Sequence, residues 1–174
     1  MSTHRLLNLK SLPRQKGRCR NCGGSLPKRA RTSCSRECTE IIKLLTLSGY
    51  ARWAVKQRDR GVCAICGCDT EKVKRILRHA GNSWSFRFET QASLGFGRSS
   101  HLWEMDHILP VVYGGGAKPA KSADEILNNL RTLCIPCHRQ ETARLARLRA
   151  ACKHGMLSPR FIERWAGLSH EPPL

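Results

Sequence analysis

Hydrophobic and polar positions divide the chain into short elements whose period changes repeatedly. The first is a helix from about Ser35 to Leu47: the near-apolar run Ile41–Leu47, broken by Lys43, lies inside it, Glu37 falls in its first turn and Gly49 follows its end. A second helix over 49–61 sets Tyr50, Trp53, Ala54 and Gln57 on one face, with Arg52, Lys56, Arg58 and Arg60 mostly elsewhere. Tyr50 and Trp53 are therefore expected to pack in a core, with base stacking as their alternative. Glu71 to His79 reads as a basic helix. Trp84, Phe86 and Phe88 then alternate with polar residues as a half-buried strand does, and Gly95 and Gly97 mark a loop. His101 to Ile108 reads as a strand, followed by a turn region at Pro110 and Gly114–Gly116. Ser122-Ala-Asp-Glu-Ile-Leu has the form of a short capped helical turn. Leu130–Cys134 is a return strand, a helix runs from about Pro136 to Ala151, and a short helix around Phe161–Trp165 precedes a tail. No stretch of 18 apolar residues exists, so no membrane span is expected, and the N-terminus lacks the pattern of a secretory signal.

Composition narrows the picture. At 174 residues one domain is the default and a second unit must be small. A hydrophobic share of 40% with only 6% aromatics suits one modest core. The 31 Lys and Arg against 13 Asp and Glu leave a formal charge of +18, whose self-repulsion calls for an anionic partner, nucleic acid being the commonest. Residues 1–36 alone hold ten Lys and Arg and no acidic residue.

Ten cysteines in a chain with no export signal point to metal or chemistry rather than disulfides, and to a cytoplasmic location with the DNA (the nucleoid, in a bacterium). Eight of them form close pairs. Cys19/Cys22 and Cys34/Cys38 make one four-thiolate zinc site, and Cys63/Cys66 and Cys134/Cys137 make a second across 67 intervening residues. Such a site is closed: it staples the chain and leaves no position for substrate. Cys68 and Cys152 remain as ordinary thiols, with Cys68 as a substitute ligand for Cys66.

Catalysis must then come from elsewhere. His138 follows Cys137 at the start of a helix, where neighbours project about 100° apart, so it points sideways when Cys137 faces the zinc. Asp106-His107 ends a strand before a glycine-rich turn. An Asp oxygen and a His nitrogen suit a catalytic divalent metal such as Mg²⁺, Mn²⁺ or Ni²⁺, and a second histidine beside them suits a general base. Adjacent strand residues face opposite sides, so Asp106 and His107 share a site only where the strand ends or twists. Taken singly, Asp106 as a turn cap, His107 as a buried imidazole and His138 as a neighbour of the zinc site are the ordinary readings.

Asp106-His107-Ile-Leu-Pro, Gly114-Gly-Gly, Asn129-Leu-x-x-Leu-Cys134 and Cys137-His138, in that order, resemble the HNH endonuclease motif, in its zinc-stapled branch. A wider pattern, from the first knuckle through Ser33-Cys-Ser-x-x-Cys38 to Arg58-Asp-Arg-Gly-Val-Cys63, resembles the nuclease segment of fork-remodelling annealing helicases and stand-alone bacterial HNH proteins. The resemblance implies an α+β fold: a small ββα-metal, treble-clef-like nuclease core with a four-cysteine zinc staple, an N-terminal four-cysteine zinc finger and flanking helices. It implies that Asp106 and His138 ligate the catalytic metal, that His107 is the general base, and that Asn129 braces the turn between strands. It also implies 5′-phosphate and 3′-hydroxyl products.

The expected organisation is a basic arm (1–18), a zinc-finger unit (19–48), a nuclease domain (49–152) with an insertion at about 69–100, and a tail (153–174). DNA is the expected substrate, with Arg131, Arg144 and Arg147 as candidate backbone contacts and His101 and Glu104 as near but weaker site candidates. Because one such site cuts one strand, a homodimer or a larger DNA-processing partner would suit double-strand cuts. The main alternative is a zinc-finger nucleic-acid-binding protein with a vestigial nuclease site. A zinc adaptor for a protein partner is a third reading, for which the charge has no use.

Overall fold

The computed structural model describes residues 15–79, 83–98, 100–110 and 122–155. The arm up to residue 14, the Gly114–Gly116 turn, the Phe161–Trp165 helix and nearly all of the tail lie outside the described residues. The chain forms two compact units, Met1–Val55 with His107–Leu130, and Lys56–Asp106 with Arg131–Leu174.

The first unit opens on the Cys19–Cys22 knuckle, closed by a bridge between Arg18 and Ser25. Helix α1 (Arg36–Thr46) follows; its N-cap Ser35 accepts from the Cys38 backbone N–H at 3.1 Å, satisfying one of the orphan donors of the first turn. Ile41, Ile42, Leu44 and Leu45 form its buried stripe, and it packs against α5 (Ala123–Asn128). α5 is the short capped helix expected: Ser122 accepts from the Glu125 N–H at 3.1 Å.

Helix α2 (Ser48–Asp59) runs on almost directly from α1, but its buried residues are Ala51 and Val55. Trp53 is 55% exposed and Tyr50 half-buried, which corrects the core role expected of this pair. At 100° per residue the Ala51–Val55 stripe lies about 150° round the helix from Tyr50–Trp53, so both cannot face one core. The two rings instead lie against each other, centroids 5.6 Å apart, with the Lys43 ammonium 5.5 Å above Tyr50.

The second unit holds α3 (Thr70–His79), α4 (Trp84–Ser93), all but the end residue of strand β1 (Trp103–His107), all but the first residue of strand β2 (Leu130–Cys134), and α6 (Ile135–Lys153). β1 and β2 form a two-stranded antiparallel sheet. The core is Cys63, Leu77, Phe96, Leu102, Leu133, Cys134, Ile135 and Cys137, so three members of the second cysteine set are core residues themselves. α4 replaces the strand expected from Trp84, Phe86 and Phe88. The sheet among the described residues has only β1 and β2, and a strand without a ladder partner leaves its backbone unpaired, whereas a helix satisfies its own. In the helix Trp84 and Phe88 become an i, i+4 pair with ring centroids 5.1 Å apart. The following loop is tied back by Gln91, whose Nε2 donates to the Gly97 carbonyl at 2.9 Å.

Candidate active site

Two groups of cysteines converge, and they are the two sets the spacing paired: Cys19, Cys22, Cys34 and Cys38, and Cys63, Cys66, Cys134 and Cys137. Within each set the sulfurs lie within 4.8 Å of one another, and the closest are 3.4 Å (Cys22–Cys34), 3.6 Å (Cys66–Cys134) and 3.7 Å (Cys34–Cys38). A zinc–sulfur bond of about 2.3 Å sets tetrahedral sulfurs about 3.8 Å apart, so both sets fit one zinc ion. The first cysteine of each knuckle is prepared as a thiolate. Burial pushes the Cys19 thiol up, but the N–H groups of Cys22, Asn21 and Cys34 outweigh it and bring it down to about 6. At Cys63 burial is likewise outweighed, by the N–H groups of Cys66, Cys134 and Ile65, giving about 7. The sulfurs crowded against them go the other way: the Cys22 sulfur pushes Cys34 up to about 12, and burial pushes Cys134 up to about 12. Four thiolates at such separations need a cation among them. Cys68 and Cys152 stand outside both sets, half-buried.

β1 ends at His107. Along it Trp103 and Met105 are buried, while Glu104 and Asp106 face the other way and are half-buried. The chain beyond is pinned by one residue. Asn129 Oδ1 accepts from the Leu109 N–H at 2.7 Å, its Nδ2 donates to the Leu109 carbonyl at 3.2 Å, and its own carbonyl accepts from the Ile108 N–H at 2.9 Å. Asn128, the last residue of α5, is exposed.

Asp106 Oδ2 is held by Arg131, from Nε at 3.0 Å and from Nη2 at 2.9 Å. The same Nη2 reaches Glu141 Oε2 at 3.2 Å, and Arg144 Nη2 reaches that oxygen at 2.8 Å. His138 sits half-buried in the first turn of α6, beside the buried Cys137.

Residues 94–144 match the HNH endonuclease family, a span containing Asp106, His107, Asn129, His138 and the second half of the zinc staple. This segment is an HNH domain. The chain is similar to the DNA annealing helicase and endonuclease ZRANB3 of Homo sapiens, 32% identical over 148 residues, which are 74% of this chain and 13% of that protein. The Mus musculus protein of the same name shows the same identity and coverage. The chain thus spans about an eighth of the length of these relatives. Among solved structures, the human ZRANB3 HNH domain aligns with a TM-score of 0.42 at 29% identity, covering 62% of this chain and 96% of that one.

Two features were not foreseen. Glu141 joins Arg131 and Arg144, and its signal was the i, i+3 spacing from His138 along a helix already assigned. Arg131 is only 14% exposed at its side chain and lies on carboxylates, Arg144 is half-buried, and Arg147 is exposed. His101 is exposed. The second feature is Asp59 at the end of α2: its Oδ2 accepts from the buried Thr132 N–H at 3.0 Å, and Thr132 returns its carbonyl to the Ala64 N–H at 2.8 Å. These bonds clamp β2 to the chain around the Cys63 knuckle.

Proposed function

We propose that this protein is a divalent-metal-dependent endonuclease that hydrolyses DNA phosphodiester bonds, its two cysteine sets each holding a structural zinc ion. The observation that carries the reading is the Asn129 brace: it pins Ile108 and Leu109 directly behind the Asp106-His107 pair, at the point where β1 stops. A strand end held this firmly has a use when the side chain before it must be aimed.

His107 is the general base. It takes a proton from a water lined up with the scissile phosphorus; the water oxygen forms a bond to phosphorus as the bond to the 3′ oxygen breaks, leaving 5′-phosphate and 3′-hydroxyl ends. Asp106 and His138 offer one carboxylate oxygen and one imidazole nitrogen, a set that suits a borderline divalent ion and leaves positions for water and phosphate. Such an ion, when bound, supplies charge neutralisation at the phosphate and the leaving oxygen. Arg131 is a positioning residue: its guanidinium occupies Oδ2 of Asp106 and would leave Oδ1 for a metal. Arg147 and the basic arm hold the DNA backbone, contacts that position without reading sequence.

Supercoiled plasmid nicking tests the assignment. Protein retaining zinc but stripped of exchangeable metal is expected to nick on addition of Mg²⁺, Mn²⁺ or Ni²⁺. His107→Ala should slow nicking by roughly 10²–10⁴-fold and keep DNA binding. Wild-type cutting by that variant would remove His107 from the mechanism. Salt-sensitive binding without cutting would favour the zinc-finger binding protein instead.

A further inference from the structure

Several cations of the second unit are already engaged. Lys56 pairs with Glu71 at 2.9 Å, Arg58 pairs with Asp59, and Arg131 and Arg144 share Glu141. Arg139 donates to the Gly95 carbonyl at 3.3 Å. On α3 the pattern changes: the side chains of Lys72, Arg75 and His79 make no ion pair or hydrogen bond among the described residues. All three are exposed, and together with Ile76 they line one cavity of about 600 Å³. Among the described residues no carboxylate lines it. Glu71, the acidic residue of α3, is the one held by Lys56.

The helix itself gains nothing from this arrangement. Its inner face is fixed by Leu77 in the core, by Val73 packed against that core, and by buried Thr70, whose hydroxyl donates to the Gly61 carbonyl at 2.7 Å. The cavity residues take the outward side, at the i, i+3, i+4 and i+7 positions counted from Lys72. Lys72 falls in the first turn, where the positive end of the helix dipole repels a cation. Arg75 stands three residues on, near enough for the two like charges to repel. Local charge rules are broken in this way where the charge serves an external partner. A concave surface of one sign with an apolar wall, here Ile76, also focuses the potential on whatever enters it.

An anion offsets that repulsion, and an imidazole has an N–H to donate to it in either charge state. Among the described residues the lining holds no Phe, Tyr or Trp on which unpaired bases would stack, so it suits phosphates rather than base faces. We propose that this cavity on α3 is a binding site for the phosphodiester backbone of duplex DNA, with Lys72 and Arg75 as phosphate contacts and His79 as a hydrogen-bond donor beside them. The insertion thereby gains a role, as a grip on the backbone apart from Arg147 and the basic arm. Only the choice of DNA rests on the nuclease reading; binding is measured without cutting.

The test is a fluorescence-anisotropy titration of the zinc-loaded full chain over a range of salt, without other divalent ions, against a labelled duplex and oligothymidylate of equal length. Lys72→Gln/Arg75→Gln is expected to flatten the salt slope for duplex by about 1.8, or about 0.9 per lost phosphate contact. Lys74→Gln/Arg78→Gln removes the same charge from α3 outside the cavity lining, and should flatten the slope by less than about half as much. A slope within about 0.5 of wild type in the first variant overturns the proposal, as does an equal loss in both. If the first variant loses zinc or helicity, Ile76→Glu replaces it: a carboxylate brought into the lining should weaken duplex binding several-fold, and unchanged affinity overturns the site. A slope lost for oligothymidylate but kept for duplex overturns the choice of a duplex. Displacement of the duplex by polyglutamate at lower concentration than by unlabelled duplex, in wild type but not in Lys72→Gln/Arg75→Gln, would assign the cavity to an acidic protein instead. A wild-type protein that shows the expected slopes but never nicks would end the nuclease reading and leave the cavity assignment standing.

Discussion

Asp106 already has a cation against it before any metal arrives, because Arg131 occupies Oδ2 and is itself shared with Glu141. Removing Arg131 leaves two half-buried carboxylates facing each other. Arg131→Met should cost about 1–3 kcal/mol of stability, read in thermal melts, and raise the metal concentration needed for half-maximal nicking. Arg131→Lys keeps the charge but loses the planar fork, and should restore stability better than metal response. Asp59 makes a different prediction. Burial raises its carboxyl, but bonds from the Arg58 side chain and from Thr132 outweigh it and hold it below the ordinary 3.8. A depressed folded-state value contributes stability that is present above pH 3.8 and lost as pH falls through the lower folded value. Asp59→Asn should therefore flatten the acid limb of the pH–stability profile, and Asp59→Ala should cost about 1–3 kcal/mol by stranding the buried Thr132 N–H. Neither partnership was legible in the sequence: both join residues far apart along the chain, and pairing of charges leaves no periodic trace.

Elements were legible where local chemistry and periodicity agreed. α1 begins after Ser35 and ends at Leu47, and α5 follows Ser122, because a cap hydroxyl and the N–H that donates to it are neighbours in sequence. α4 was not legible, since alternation of three aromatics describes a strand only where another strand is present to pair with it. In α2 two stripes competed, and the pair with the larger rings lost to Ala51 and Val55, whose small side chains allow close approach of the backbone. Trp53→Ala should then change stability by less than about 0.5 kcal/mol, whereas Ala51→Leu should cost about 1–3 kcal/mol; paired chemical melts decide. Asn129 belongs to this scale too, as the joint behind β1. Asn129→Ala should slow nicking while leaving both zinc ions bound, measured by metal content beside rate.

For the whole molecule, the two cysteine sets stand in for the aromatic core that a 6% share cannot supply. Chelation of zinc should unfold both neighbourhoods together with the loss of nicking, followed by circular dichroism. Cys34 and Cys134, both pushed up to about 12, are protonated at pH 7, while Cys19, at about 6, is mostly thiolate already. Zinc uptake must displace those protons, so refilling the stripped protein in weak buffer should acidify it, and zinc affinity should fall as pH is lowered. A pH-neutral uptake would contradict the four-thiolate assignment.

The sequence by itself determined which cysteines belong together, that a short helix after Ser122 is capped, and that Asp106-His107, Asn129 and Cys137-His138 form one ordered set. Those are matters of spacing, and spacing is read along the chain. Only the tertiary structure decided that Arg131 rests on Asp106, that Asp59 clamps β2, that Trp53 faces outward and that the aromatic run at 84–88 is helical. Each of these depends on which surface or charge arrives from a distant segment, and the free energy of burial and pairing is settled between segments, after the local pattern has been spent.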